Sequence, residues 1–279
     1  MGTLYICATP IGNLSDISSR LTETLESVDC IYGEDTRRVI KLLNHLNIEK
    51  PVYSYFVGNE HNKLNEIKNI LDSGKDVALL SDAGTPLIAD PGSELVSYLV
   101  DNDVKIESIP GPSSVIVALT LSGFDLTSFR FTGFIPKAGK DRARFISDLL
   151  TTDTTTVCFT SPKRLLKDLE AFASEGVLNN IVVCRELTKK FETVYRGTSK
   201  ELINEFQDKD IKGEITLVIE GSQKQNKLDI DVTSAINNPL KYDIPKREIA
   251  KTIALITDMS TNEIYNNIKD LISQNIADA

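Results

Sequence analysis

The segment Val77-Ala78-Leu79-Leu80-Ser81-Asp82-Ala83-Gly84-Thr85-Pro86-Leu87-Ile88-Ala89-Asp90-Pro91-Gly92 decides the architecture. Its four leading apolar residues fit a strand buried on both faces, as in a parallel sheet. A twelve-residue loop, Ser81 to Gly92, follows before a helical pattern starts at Ser93. Loops of that length inside a compact domain are usually functional or disordered, and Leu87-Ile88-Ala89 argues against disorder. Gly lets backbone approach a ligand closely, and Pro fixes the loop's shape. In open α/β sheets ligands sit beyond the carboxyl ends of the strands, where this loop falls.

The same alternation extends in both directions. Upstream, strands at Leu4-Ala8, Cys30-Tyr32 and Val52-Tyr55 precede helical stretches at Asp16–Val28, Thr36–Leu46 and Asn59–Ser73. Downstream, Ser93–Asn102 is helical, Val104-Ile109 a strand and Ser113–Ser122 a helix. Strands alternating with helices of this length indicate βαβ units. The pattern stops near Gly123-Thr132. It resumes with helices at Asp141–Leu150, Leu165–Ser174 and Ser199–Phe206 and strands at Thr155-Phe159, Ile181-Cys184, Thr193-Arg196 and Ile215-Glu220. Two of those strands follow each other directly, so part of the second sheet is expected to be antiparallel. The expected division is 1–112 and 113–222 as α/β domains and 223–279 as a helical appendage. Within it, helices at Lys246–Thr257 and Thr261–Ser273 flank Asp258-Met259-Ser260, and Ser260 with Glu263 forms a capping box. The appendage reads as a helix-turn-helix-like unit or as a helical hairpin packed on the body or a partner.

Length and composition exclude several classes. A chain of 279 residues buries about 70–75% of its unfolded surface and folds without staples. No apolar run reaches the ~20 residues of a membrane span, and the N-terminus reads as a strand, not a signal peptide. The four cysteines lie far apart in apolar stretches, which fits reduced core residues of a cytoplasmic protein. With two histidines, His45 and His61, neither a zinc site nor a Ser-His-Asp triad is easily assembled, and no metal is expected. No two of the fifteen glycines are two residues apart, so the GxG dinucleotide fingerprint is absent, and GK[ST] does not occur. The net charge of −9 argues against a general nucleic-acid coat, though not against a local basic face.

The loops after the strands are crowded with Gly, Pro and small hydroxyl residues. They include Thr9-Pro10-Ile11-Gly12-Asn13, Gly33-Glu34-Asp35-Thr36-Arg37-Arg38, Pro110-Gly111-Pro112-Ser113-Ser114, Thr160-Ser161-Pro162-Lys163-Arg164 and Arg185-Glu186-Leu187-Thr188-Lys189-Lys190. Singly, such loops are turns. Together they can cradle a small polar molecule.

These segments, with Gly2–Ile17, the whole Ser81–Gly92 loop, Gly133-Phe134-Ile135-Pro136-Lys137 and Gly213-Glu214-Ile215, resemble the bacterial small-subunit ribosomal RNA cytidine 2′-O-ribose methyltransferases. That family is a branch of the tetrapyrrole methylase superfamily, and the resemblance covers essentially the whole chain. It implies a two-domain α/β class III methyltransferase fold, usually homodimeric, with S-adenosylmethionine folded in the cleft between the domains. Cofactor contacts are implied at Pro10, Ile11, Asp82, Gly84, Thr85, Pro86, Leu87, Ile88, Ser113, Ser114, Phe159, Thr160, Leu187 and Ile215. The implied acceptor is a cytidine ribose near the decoding centre. The chain departs from the branch at Phe56-Val57-Gly58-Asn59-Glu60, where His-x-His-Asn-Glu is typical. It departs again at Phe159–Arg164, where Tyr-Glu-Ser-Pro-His-Arg is typical. The departures leave the Gly-Pro loops intact and leave the general base open.

A ribose hydroxyl must lose its proton as it attacks, and a positioned base typically adds 10²–10⁴-fold. Candidates are Glu34, Asp35, Glu186 and Lys189, which with Arg37 and Arg185 are expected to form a polar wall facing the ribose. Each has a plainer reading. Asp35 and Arg37 can pair or cap a helix, Arg185 and Glu186 can form an ion pair, and Lys189 can sit in solvent or touch phosphate. Phosphate contacts are expected from Lys137, Lys140, Arg142 and Arg144, from Arg185, Lys189 and Lys190, and from Lys241, Lys246, Arg247 and Lys251, all on one face. Two other functions fit parts of the sequence: a tetrapyrrole C-methyltransferase, and a non-catalytic ribosome-associated RNA-binding protein.

Overall fold

The computed structural model describes residues 1–221, 245–256, 260–266 and 268–269. They fall into two compact units, Met1–Gly221 and Ser222–Ala279. The first unit holds two five-stranded sheets.

The first sheet is all parallel, in the order β3-β2-β4-β1-β5. Its strands are β1 (Thr3–Cys7), β2 (Cys30–Gly33), β3 (Val52–Ser54), β4 (Val77–Leu80) and β5 (Lys105–Ile109). Helices α1 (Ser19–Ser27), α2 (Thr36–Leu46), α3 (Glu60–Asp72) and α4 (Ser93–Val100) make the crossovers. Strand periodicity sorts the core. Leu4, Ile6, Val77 and Leu79 face Ile67, Leu71, Leu95 and Leu99 of α3 and α4. Cys7, Ala78 and Leu80 face Leu21, Leu25, Val39 and Leu42 of α1 and α2. The helix expected from Asp16 starts later. A 3-10 turn at Leu14–Asp16 precedes it, and the Ser18 hydroxyl caps α1 by accepting the Leu21 N–H at 3.1 Å.

Helix α5 (Ser114–Ser122) leads into the second sheet, ordered β6-β7-β10-β8-β9. Its strands are β6 (Phe129–Phe134), β7 (Thr155–Thr160), β8 (Ile181–Arg185), β9 (Thr193–Gly197) and β10 (Ile215–Ile219). Only β6 and β7 run parallel; the other pairs are antiparallel. Helices α6 (Gly139–Thr151), α7 (Pro162–Ser174) and α8 (Ser199–Phe206) cover one face through Phe145, Leu149, Leu169, Phe172 and Phe206. The other face takes Val115, Ala118 and Leu119 of α5, together with Ile11 from the loop after β1. Segments carried by the first sheet therefore close the core of the second. Strand β6 lies where the sequence pattern stops. All four cysteines are buried, and burial raises each thiol above its ordinary value.

In the second unit, α9 (Lys246–Ile256) and a helix at 261–266 share a small core of Ile249, Ala250, Ile253, Ile264 and Ile268. Ser260 Oγ accepts the Glu263 N–H at 3.2 Å, which starts the second helix as its capping sequence predicts. Lys241, Asp258 and Met259 lie outside the described residues. Among the described residues no helix is long and apolar enough to cross a membrane.

Candidate active site

Strand order brings the Gly-Pro loops together. Strand β1 lies between β4 and β5, so the loops after all three emerge side by side. They are joined at the backbone: the Thr9 N–H donates to the Gly84 carbonyl at 2.8 Å, and the Gly84 N–H donates back to Thr9 at 3.0 Å. Ser81 Oγ donates to the Gly84 carbonyl at 2.8 Å. Gly84 has φ +87, and a Cβ there would meet Ile11 Cγ2 at 3.3 Å. A side chain would be strained in that conformation and would press on Ile11. Leu87 (φ +72) and Ala89 (φ +67) are also left-handed, which is rare for non-glycine residues and typical of functional loops.

The loops open on a cleft of about 420 Å³ lined from both sheets. That volume lies in the range of about 300–1,000 Å³ common for small-molecule sites. One part of the wall is apolar: Ile11, Ile88, Val115, Phe134, Phe159, Leu187 and Ile215. Another holds Glu34, Asp82 and Asp90 with Arg38. Strand pairing groups these acids, because β2 runs beside β4 with Gly33 opposite Leu80. The start of α5 also faces the cleft. Ser113 caps it without a side-chain hydrogen bond, so the first-turn N–H groups remain available to an anion.

Of the fourteen residues expected to contact cofactor, Ile11, Asp82, Gly84, Thr85, Ile88, Ser113, Ser114, Phe159, Thr160, Leu187 and Ile215 line this cleft. Pro10, Pro86 and Leu87 do not. Pro86 is buried, and Leu87 turns into the core under α4. The sequence reading missed Asp90, Arg38, Phe134, Ser161, Glu214 and Thr216 as lining residues. Arg38 had a signal, since it lies in the first turn of α2, four residues after Glu34 in the loop that follows β2. Asp90 stood inside the decisive loop without being singled out.

The polar wall of six residues does not form, because local partners engage five of its members. Asp35 caps α2 and holds Arg37 through bonds of 2.9 and 2.6 Å, with Arg37 88% exposed. Hydrogen bonding from Arg37 pulls the Asp35 carboxyl down to about 2. Arg185 donates to the Lys212 and Phe191 carbonyls and makes no ion pair with Glu186. Glu186 instead binds Lys189 at 2.8 Å and the Glu214 N–H at 2.8 Å, while Lys189 also reaches Glu214 at 3.0 Å. Burial pushes the Glu186 carboxyl up, but these bonds outweigh it and leave the group below its ordinary value. Burial likewise opposes charge on Lys189, yet its two carboxylates hold it protonated, so it is unsuited as a base. Only Glu34 of the six lines the cleft. Burial and then Asp82 raise its carboxyl.

The basic cluster on α6 also divides. Lys137, Lys140 and Arg144 are exposed and make no ion pair among the described residues. Arg142 turns inward to the buried Asp168 at 2.7 Å and to the Pro136 carbonyl at 3.1 Å, which removes it from the phosphate-facing set. Asp168 also accepts Arg164 at 3.1 Å and Thr160 Oγ1 at 2.6 Å. Lys246 and Arg247 are exposed on α9, and Lys251 pairs with Glu248.

Comparison with known proteins agrees with this architecture. The family model of Tetrapyrrole (Corrin/Porphyrin) Methylases matches residues 3–203. A ribosomal RNA small subunit methyltransferase I of Thermotoga maritima is 41% identical over 223 residues, covering 80% of this chain and all of that protein (100%). The protein of the same name from Halalkalibacterium halodurans is 35% identical over 274 residues, covering 95% of this chain and 94% of its own. The crystal structure of a cobalt precorrin-4 methyltransferase superposes with TM-score 0.61 at 20% identity, covering 78% of this chain and 94% of that one. The chain belongs to the tetrapyrrole methylase family, in its branch of small-subunit ribosomal RNA methyltransferases I, and is a methyltransferase.

Proposed function

We propose that the chain transfers a methyl group from S-adenosylmethionine to the ribose 2′-hydroxyl of a cytidine in small-subunit ribosomal RNA. The observation that carries this reading is the cleft: a helix start without a side-chain cap bond, a close backbone turn, grouped acids and an apolar wall, within a chain whose relatives are named ribosomal RNA small subunit methyltransferase I. Those residues fit the cofactor. Free N–H groups at Ser114 and Val115 suit its carboxylate, and Gly84 and Thr85 offer backbone close to the methionine end. Leu187, Ile215 and Phe159 suit adenine. The acids Glu34 and Asp82 favour a cationic ligand.

When bound, the cofactor supplies an electrophilic methyl group on a sulfonium. The chain's own part is then alignment, which can lower the barrier by about 7–11 kcal/mol, together with exclusion of water and acceptance of one proton. On this reading residues 1–112 form the acceptor side and 113–222 the adenine side. The described helices of the second unit bear Lys246 and Arg247, which are exposed. Lys137, Lys140 and Arg144 contact phosphate. The active form is a cytoplasmic homodimer.

Labelled S-adenosylmethionine incubated with unmethylated small subunits, naked ribosomal RNA and a porphyrinogen tests the reading. Label is expected at a ribose 2′-oxygen of the RNA, and calorimetry is expected to detect cofactor binding to the free protein. Label in the porphyrinogen alone would move the acceptor to a tetrapyrrole carbon. No heat at millimolar cofactor would remove the enzyme reading.

A further inference from the structure

We infer that Asp90 is the catalytic residue that accepts the proton of the acceptor hydroxyl; the inference rests on the function proposed above and deepens it. Of the carboxylates among the candidate bases, Glu34 also lines the cleft but is exposed, whereas Asp90 is partly buried; the others are engaged elsewhere. Asp35 is bound by Arg37 and Glu186 by Lys189. Asp82 accepts the Asp35 N–H at 2.9 Å through Oδ1, and Arg38 lies 3.4 Å from Oδ2. Asp90 lines the cleft, and among the described residues its carboxylate makes no hydrogen bond or ion pair. Neither of its oxygens is sealed from the cleft.

The backbone holds Asp90 in place. Ala89 before it is left-handed (φ +67), and Pro91 after it restricts its backbone to extended forms. Two residues on, the Gly92 N–H donates to Glu60 Oε1 at 3.0 Å, and Leu87 anchors the other side of the loop in the core. A base held this way needs little reorganisation at the moment of reaction. Its strength suits the task. Burial first, then repulsion from Glu34 and Asp82, pushes the Asp90 carboxyl up to about 6. A base poised near the working pH combines the ionised form with useful proton affinity. Arg38 is the cation among the charged cleft-lining groups.

In the step, the acceptor oxygen bonds the methyl carbon while its proton moves to Asp90. The carbon–sulfur bond breaks and its electron pair stays on sulfur, which leaves neutral thioether and methyl ether. Asp90 then releases the proton to water at the open cleft.

The test compares wild type with Asp90→Asn, Asp90→Glu and Glu34→Gln on unmethylated small subunits at saturating S-adenosylmethionine. Asp90→Asn is expected to lower kcat by about 10²–10⁴. Its cofactor Kd by calorimetry and its subunit KM should stay within about threefold of wild type. The wild-type kcat should rise with pH along an acid limb set by Asp90, displaced below its ligand-free position by the bound sulfonium. That limb should vanish in Asp90→Asn, return in part in Asp90→Glu, and move to lower pH in Glu34→Gln, where one repelling charge is gone. Asp90→Asn turnover within threefold of wild type would overturn the assignment. So would a loss of cofactor affinity matching the loss of rate, which would make Asp90 a ligand of the cofactor. If wild-type protein binds cofactor yet never methylates subunits, the proposed function fails and this assignment fails with it. Normal wild-type turnover with an unaffected Asp90→Asn sinks the assignment alone.

Discussion

Asp90 is costly to the folded chain before any substrate arrives. Its carboxyl titrates at about 6 in the fold against an ordinary value of 3.8, chiefly because burial disfavours its charge. Well below pH 4 the group is protonated in both states and its burial carries no charge penalty. Between about pH 4 and 6 the unfolded chain gives up the proton first, so stability falls as pH rises through that window. Asp90→Asn removes the charge. Its melting temperature should match wild type near pH 3 and exceed it at pH 7.5 by roughly 2–4 °C, the shift of about 1 kcal/mol in a domain of this size once solvent screening of this partly exposed group has reduced the full effect. A difference that stays constant across that range would mean that Asp90 does not titrate as its surroundings dictate. The measurement uses ligand-free protein, so it checks the electrostatics of the loop separately from catalysis. Such a residue is hard to find in a sequence. The loop announced itself through its length and its Gly and Pro, but the consequence for one carboxylate depends on Glu34, which stands more than fifty residues away and becomes a neighbour through the β2–β4 pairing.

Helices and strands were legible wherever their burial pattern was complete. The first sheet was, because its central strands β1, β2 and β4 are apolar and buried and each crossover helix carries one apolar face. Strand β6 was not. It is an edge strand with Phe129 and Phe134 exposed, and its register shifts between Phe131 and Phe134, where Gly133 takes φ +68. Helix α6 shows the opposite case, a signal present but unread. Arg142 stands at i, i+3, i+4 and i+7 with Phe145, Ile146 and Leu149, so helical period alone turns it inward. On α7, Asp168 shares the inner face with Leu165, Leu169 and Phe172. The two polar residues meet where those faces meet, with Arg164 as a second cation. Removing one partner strands buried charge. Asp168→Ala should therefore lower unfolding stability by about 3 kcal/mol, the low end for a broken buried pair, since both guanidinium groups keep some solvent. Urea denaturation at pH 7 reads this directly, and a loss under 1 kcal/mol would show that the arginines find water instead. Because Asp168 also holds Thr160 at the end of β7, cofactor affinity should fall in the same variant.

At the scale of the whole molecule the net charge of −9 opposes binding to a polyanion, and recognition of RNA must come from a local field. The spread of basic residues in the sequence suggested where, but not which side chains are free to act. Lys140 and Arg144 project from α6 into solvent, while Arg142 on the same helix is held by Asp168. Salt dependence separates these roles. Neutralising a phosphate releases its counterions, so each lost contact lowers the slope of log affinity against log salt by somewhat less than one. Lys140→Glu with Arg144→Glu should weaken binding to small subunits most at low salt. The slope should flatten by about 1–2, with cofactor affinity and unfolding midpoint unchanged. Arg142→Gln should do the reverse, lowering the unfolding midpoint while the slope stays put. An unchanged slope in the double variant would place the RNA on another face of the molecule, and a flattened slope in Arg142→Gln would mean that its bond to Asp168 opens when RNA binds. Filter binding between 50 and 300 mM salt, run on all three proteins together, distinguishes these outcomes.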